Sequence, residues 1–233
     1  MKKLIIANWK LNPTSLKDAQ KLASSIGHTE KNVVILCPPT IYLSQIDYSS
    51  LGAQDCFWEA KGAFTGQTSA SQLRDLKIKY CIVGHSEKRA VGDTDEMVNA
   101  KVKACIENKI TPILCVGFGT TVEQDDLEVA DVLRDQLNID LKDVDASKVV
   151  VAYEPVWAIS SGDPYATKKI ATPEHSEKIA IFIKAKFKAS KILYGGSVNP
   201  SNAKSFLDQR NVDGLLVGGA SLIASHFNQI INY

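Results

Sequence analysis

Val149-Val150-Val151-Ala152-Tyr153-Glu154-Pro155-Val156-Trp157 is an apolar run that ends in one carboxylate and is then cut by a proline. A short run rich in β-branched residues reads as a strand buried on both faces, the pattern of a parallel sheet covered by helices. Pro155 cannot donate to a ladder and holds the residue before it away from helical backbone. Glu154 therefore stands at the carboxyl end of the strand, where a loop begins. A carboxylate in that position can work as a general base. On this stretch alone, a surface glutamate in an ordinary strand–loop turn is the more economical reading.

The same pattern recurs on both sides. Strands are expected at Lys3–Ala7, Val33–Leu36, Leu51–Gln54, Tyr80–Val83, Thr111–Cys115, Val149–Tyr153, Lys191–Tyr194 and Gly214–Val217. Helical spacing fills Leu16–Ile26, Thr40–Ile46, Ala70–Leu76, Thr94–Glu107, Val122–Leu137, Pro173–Phe187, Pro200–Leu207 and Ser221–Ile231. Start signals such as Thr172-Pro173-Glu174 and Asn199-Pro200 mark several helices. Repeated strand–helix units imply parallel strands joined by right-handed crossovers. A single α/β domain over residues 1–233, closed as an eight-stranded parallel (β/α)8 barrel, uses all of them. A doubly wound open sheet is the alternative.

Lys plus Arg number 27 against 26 for Asp plus Glu. That balance gives no basic field for nucleic acid or an anionic membrane, and a small anionic ligand needs only a local site. No stretch approaches the roughly 20 apolar residues of a membrane span. The five cysteines (37, 56, 81, 105 and 115) lack any Cys-x-x-Cys pair and lie mostly in apolar segments. Free buried thiols in a reducing, cytoplasmic setting fit better than disulfides or zinc.

Barrel active sites are built on the loops that follow the strands. Asn8 and Lys10 follow the first strand, His85 the fourth, Glu154 the sixth, Gly195-Gly196-Ser197 the seventh and Gly218-Gly219 the eighth. His85 precedes a helix start at Ser86-Glu87, which favours a neutral imidazole able to donate a hydrogen bond. His28, His175 and His226 read as solvated residues. Lys10, beside Trp9, can stabilise negative charge developing on a substrate oxygen. The two glycine-bearing turns precede helices and suit a phosphate. Base, neutral acid, cation and phosphate cradle together point to proton abstraction next to a carbonyl on a small phosphorylated substrate. No cofactor or metal is needed for that chemistry.

Asn8-Trp9-Lys10, Gly62-Ala63-Phe64-Thr65-Gly66, Val83-Gly84-His85-Ser86-Glu87, Ala152-Tyr153-Glu154-Pro155-Val156-Trp157-Ala158, Tyr194-Gly195-Gly196-Ser197-Val198 and Leu216-Val217-Gly218-Gly219-Ala220-Ser221 run in this order along the chain. In these motifs the chain closely resembles the triosephosphate isomerases. The resemblance implies interconversion of dihydroxyacetone phosphate and glyceraldehyde 3-phosphate. It also implies Glu154 as the base and His85 as the electrophile, a pairing that belongs to the family as a whole. Lys10 and Asn8 would stabilise the enediolate, and Glu87 would anchor Lys10. The N–H groups of Ser160, Ser197, Gly218 and Gly219 would hold phosphate under a lid that begins after Trp157. A homodimer is implied, with Thr65 at the tip of the docking loop.

The chain also departs from the family pattern. The lid reads Ser160-Ser161-Gly162 in place of Gly-Thr-Gly, and the nine residues Asp163 to Ala171 precede Thr172-Pro173. Phe118 stands where the family usually has a glutamate that meets the lid tryptophan. Gln67 and Lys88 replace a glutamate and an arginine common at the interface. A catalytically idle phosphate-binding relative and a different aldose–ketose isomerase on the same fold are the competing readings.

Overall fold

The computed structural model describes residues 2–159 and 171–233. Its strands are β1 Leu4–Asn8, β2 Val33–Cys37, β3 Gly52–Ala53, β4 Tyr80–Val83, β5 Thr111–Val116, β6 Val150–Tyr153, β7 Lys191–Tyr194 and β8 Gly214–Val217. All strand pairs are parallel, in the order β2-β1-β8-β7-β6-β5-β4-β3. A parallel bridge between Leu36 and Leu51 joins the two outer strands and closes the sheet. The barrel expected from the sequence is therefore the fold, and the open sheet is excluded.

Side chains alternate between two cores, as the period of a strand requires. Leu4, Ile6, Ile35, Cys37, Ile82, Ile113, Val150, Ala152 and Leu216 pack inside the barrel. Ile5, Ala7, Cys81, Val83, Val151 and Tyr153 face outward against helix residues such as Val98, Cys105, Leu133 and Ile179. This register decides where the site can form. Residue 154 continues the inward set of 150 and 152, so Glu154 faces the barrel mouth. Asn8 does the same after Leu4 and Ile6.

Differences from the expected elements have local causes. The third strand spans only Gly52–Ala53, shorter at both ends than the Leu51–Gln54 expected from sequence. A Cβ on Gly52 would sit 2.7 Å from Cys37 Sγ, so β2 lies unusually close there. Gln54 leaves the ladder because its side-chain amide donates to the carbonyls of Lys10 (2.8 Å) and Cys37 (2.9 Å). The helix expected from Val122 begins at Asp126, behind a reciprocal cap between Asp125 and Glu128. The Pro200–Leu207 segment is helical only from Ala203, since Asn199 Oδ1 first accepts the N–H groups of Ser201 and Asn202. After β8, Ser221 bonds Gly218 O through both its N–H and its hydroxyl. A 3₁₀ turn, Gly219–Leu222, therefore precedes the helix Ala224–Ile231.

No helix among the described residues is long and apolar enough to cross a membrane. All five cysteines are buried and free, as expected.

Candidate active site

The strand ends meet in one cleft, lined by Asn8, Lys10, His85, Glu154, Gly195 and the Gly218-Gly219 turn, among others. Ser197 lines it too. Of the remaining candidates, Glu87 stands behind Lys10 and Thr65 is exposed on a separate loop. Ser160 lies outside the described residues along with most of the lid.

β4 delivers His85 through Gly84, whose φ of 67° bends the chain at the end of the strand. A Cβ at Gly84 would meet Val98 Cγ1 at 2.9 Å, which excludes a larger residue on packing grounds as well. His85 caps the short helix Ser86–Ala90, its Nδ1 accepting the backbone N–H of Glu87 at 3.2 Å. An accepting Nδ1 leaves the ring proton on Nε2, so the neutral tautomer directs an N–H donor into the cleft. That atom lies 3.0 Å from Glu154 Oε1, within reach but too poorly aligned to count as a hydrogen bond.

Glu154 is 2% exposed. Its Oε2 accepts the Ser86 backbone N–H at 3.0 Å. Gly195 provides the room beside it: a Cβ there would lie 3.0 Å from Glu154 Cγ. Gly117 does the same on the β5 side, where a Cβ would be 2.3 Å from the Glu154 carbonyl oxygen.

Lys10 adopts a left-handed backbone, φ 55°, uncommon for a residue that carries a Cβ. Asn8 Oδ1 accepts its N–H (3.1 Å) and Gln54 donates to its carbonyl, so the conformation is held from both sides. Its ammonium reaches Glu87 Oε1 at 2.6 Å. Sequence reasoning misses Gln54, although a lone amide directly after a buried strand is a usable signal.

On the phosphate side, the first N–H groups of the Gly219–Leu222 turn have no acceptor within that turn. Ser197 differs, because its backbone N–H donates to Ala158 O at 2.9 Å. A phosphate bound by that N–H must first displace the Ala158 carbonyl.

Two further groups support the site from outside. Arg89 donates from Nε to Gly84 O (2.8 Å) and from a terminal nitrogen to Asp140 Oδ2 (2.6 Å), and it also pairs with Asp95. With Asp95 balancing the guanidinium, burial pushes the Asp140 carboxyl up to about 8. His175 is not a solvated residue: it bonds Tyr153 Oη (2.8 Å) and Asp126 (2.6 Å). Hydrogen bonds from Lys178 and His175 hold the Asp126 carboxyl below its ordinary value. The helical position of His175 hides it, since nothing local shows that Tyr153 points outward to meet it.

Sequence comparison gives the same picture over the whole chain. The family described as "Triosephosphate isomerase" matches residues 3–233. The chain is 41% identical to the triosephosphate isomerase of Trichodesmium erythraeum, with all of both chains covered. It is 38% identical to that of Aquifex aeolicus (99% of each) and 39% identical to that of Alkaliphilus metalliredigens (all of both).

Proposed function

The chain belongs to the triosephosphate isomerase family and interconverts dihydroxyacetone phosphate and glyceraldehyde 3-phosphate, and we propose that Glu154, His85, Lys10 and Asn8 carry the reaction. Glu154 leaves the Ser86 N–H and takes the proton from the hydroxymethyl carbon of the bound ketone. The electrons move into an enediolate, whose developing charge meets the Lys10 ammonium and the Nε2–H of His85. His85 then passes a proton between the two neighbouring oxygens, and Glu154 returns its proton to the adjacent carbon. Atoms and charge balance without an oxidant or cofactor.

One observation supports this reading above others: a carboxylate with one oxygen unbonded among the described residues, a neutral histidine donor and a lysine share a single cleft. Glu87 fixes Lys10 in that cleft. Gly218, Gly219, Ser197 and, from the lid, Ser160 are the phosphate donors in this reading. The single (β/α)8 domain covers residues 1–233, and the free thiols suit a cytoplasmic location.

The test is a coupled assay with glyceraldehyde 3-phosphate on the wild type and on Glu154→Asp. Withdrawing the carboxylate by one methylene displaces it by about 1 Å and should lower kcat about 10²-fold or more. An unchanged rate in the variant would remove Glu154 as the base. Phosphate binding without turnover in the wild type would favour the idle relative instead.

The same chain forms a homodimer in this reading, through the loop with Thr65 at its tip. Exposed Phe64, packed on Phe57 at a ring distance of 4.8 Å, offers that loop an apolar face. Sedimentation at micromolar concentration should give twice the monomer mass, and a fully active monomer would contradict it.

A further inference from the structure

Three cysteines from three separate elements converge outside the barrel, away from the cleft. Cys56 lies in the loop after β3, Cys81 on the outward face of β4, and Cys105 on the helix Asp95–Glu107. Their sulfur atoms all lie within 4.8 Å of one another, and Cys56 and Cys105 are 3.5 Å apart. Each is 3% exposed or less. We propose that this cluster is a binding site for one soft monovalent metal ion, Cu(I), held by three sulfurs.

Geometry and softness agree on that class of ligand. An ion centred among three sulfurs with bonds of about 2.3 Å needs them about 4.0 Å apart. That spacing lies between the closest contact, 3.5 Å, and the limit of 4.8 Å. Thiolates favour Cu(I) among biological metals, and a trigonal site lacks the fourth ligand that structural Zn(II) demands. The carboxylate next to Cys56 in the chain, Asp55, is already engaged by Lys101 (2.8 Å) and Lys88 (3.0 Å).

Each thiol that binds as thiolate gives its proton to solvent. Cys56 also lines an open cleft with Asp55, Thr68 and Lys88, which gives an ion a path inward.

The ion would tie the root of the β3 loop to β4 and to its covering helix, and so would stabilise the native state by linkage. The experiment titrates the reduced full-length protein with Cu(I), supplied anaerobically as its acetonitrile complex, against bicinchoninate as competitor. One ion per chain should be withdrawn from the competitor, with a raised Tm. Cys81→Ala and Cys105→Ala should each lose that equivalent, whereas Cys37→Ala, which removes a buried thiol elsewhere, should keep it. X-ray absorption on the loaded wild type supplies a readout independent of variant folding: three sulfur neighbours at about 2.3 Å. Failure of the wild type to retain Cu(I), retention by a folded Cys81→Ala protein, two-sulfur or nitrogen–oxygen coordination, or preferential uptake of Zn(II) would each overturn the assignment.

Discussion

The carboxyl ends of β4 and β6, two strands apart on the barrel rim, contribute the two groups that face each other in the cleft. They are secured very differently. At the end of β4, His85 is fixed by the Glu87 N–H, and Gly84 is fixed from behind by Arg89, itself held between Asp95 and Asp140. At the end of β6, among the described residues, one Glu154 oxygen makes no hydrogen bond and the buried indole N–H of Trp157 has no acceptor. Buried polar groups are normally paired. The difference identifies a fixed template at β4 and a part held by few bonds at β6. In the proposed mechanism the base moves toward substrate and back, which suits the second.

The largest effect available at the fixed end is on His85 itself. Glutamine keeps a donor near the Nε2 position but loses the ring that both donates and accepts along the substrate. His85→Gln should lower kcat by about 10²- to 10⁴-fold, the range for loss of an acid–base group, with a smaller change in KM. Steady-state rates in both directions would check it. A loss below tenfold would mean that Lys10 alone handles the oxygen charge, and the β4 end would then be scaffold rather than chemistry.

Asp140 tests how that end is supported. Its carboxyl is raised to about 8 by burial, so between the unfolded value near 3.8 and about 8 the native state holds more protons than the unfolded chain. Stability must therefore fall as pH rises through that window, by up to about 1.4 kcal/mol per pH unit. Asp140→Asn removes the titrating group and should flatten the dependence. Urea unfolding of both proteins at pH 5, 6.5 and 8 measures it. Parallel curves would show that Asp140 stays ionised against Arg89.

How much of this is legible in the sequence follows from the range of the forces involved. Strands β4, β7 and β8 are readable to the residue because apolar runs bounded by turn residues are local signals. The inward register of Asn8 and Glu154 is implicit in the same alternation. Arg89 and His175 are not readable as supports, since the partners that fix them, Asp140 for Arg89 and Tyr153 and Asp126 for His175, lie 22 or more residues away. The two-residue β3 is equally hidden, because Gly52 is limited by Cys37 on the neighbouring strand. The thiol cluster belongs with these: spacing along the chain shows three isolated cysteines, and only the packing of a helix on β4 brings them together.

The smallest effect addresses the loosely held end directly. By resemblance, Phe118 occupies the position from which a family glutamate meets the lid tryptophan, and here Phe118 is 40% exposed while the Trp157 N–H has no acceptor among the described residues. Gln136 already fixes the backbone at this point, accepting from the Gly117 N–H at 2.9 Å and donating to Phe118 O at 2.7 Å. The side chain can therefore be changed without moving the strand end. Phe118→Glu should return an acceptor to the indole and stabilise the protein by about 1 kcal/mol, the net worth of one such hydrogen bond. A matching shift in tryptophan emission and a higher Tm are the expected readouts. If neither moves, a side chain at position 118 does not reach the indole N–H, and the contrast between the β4 and β6 ends rests on Glu154 alone.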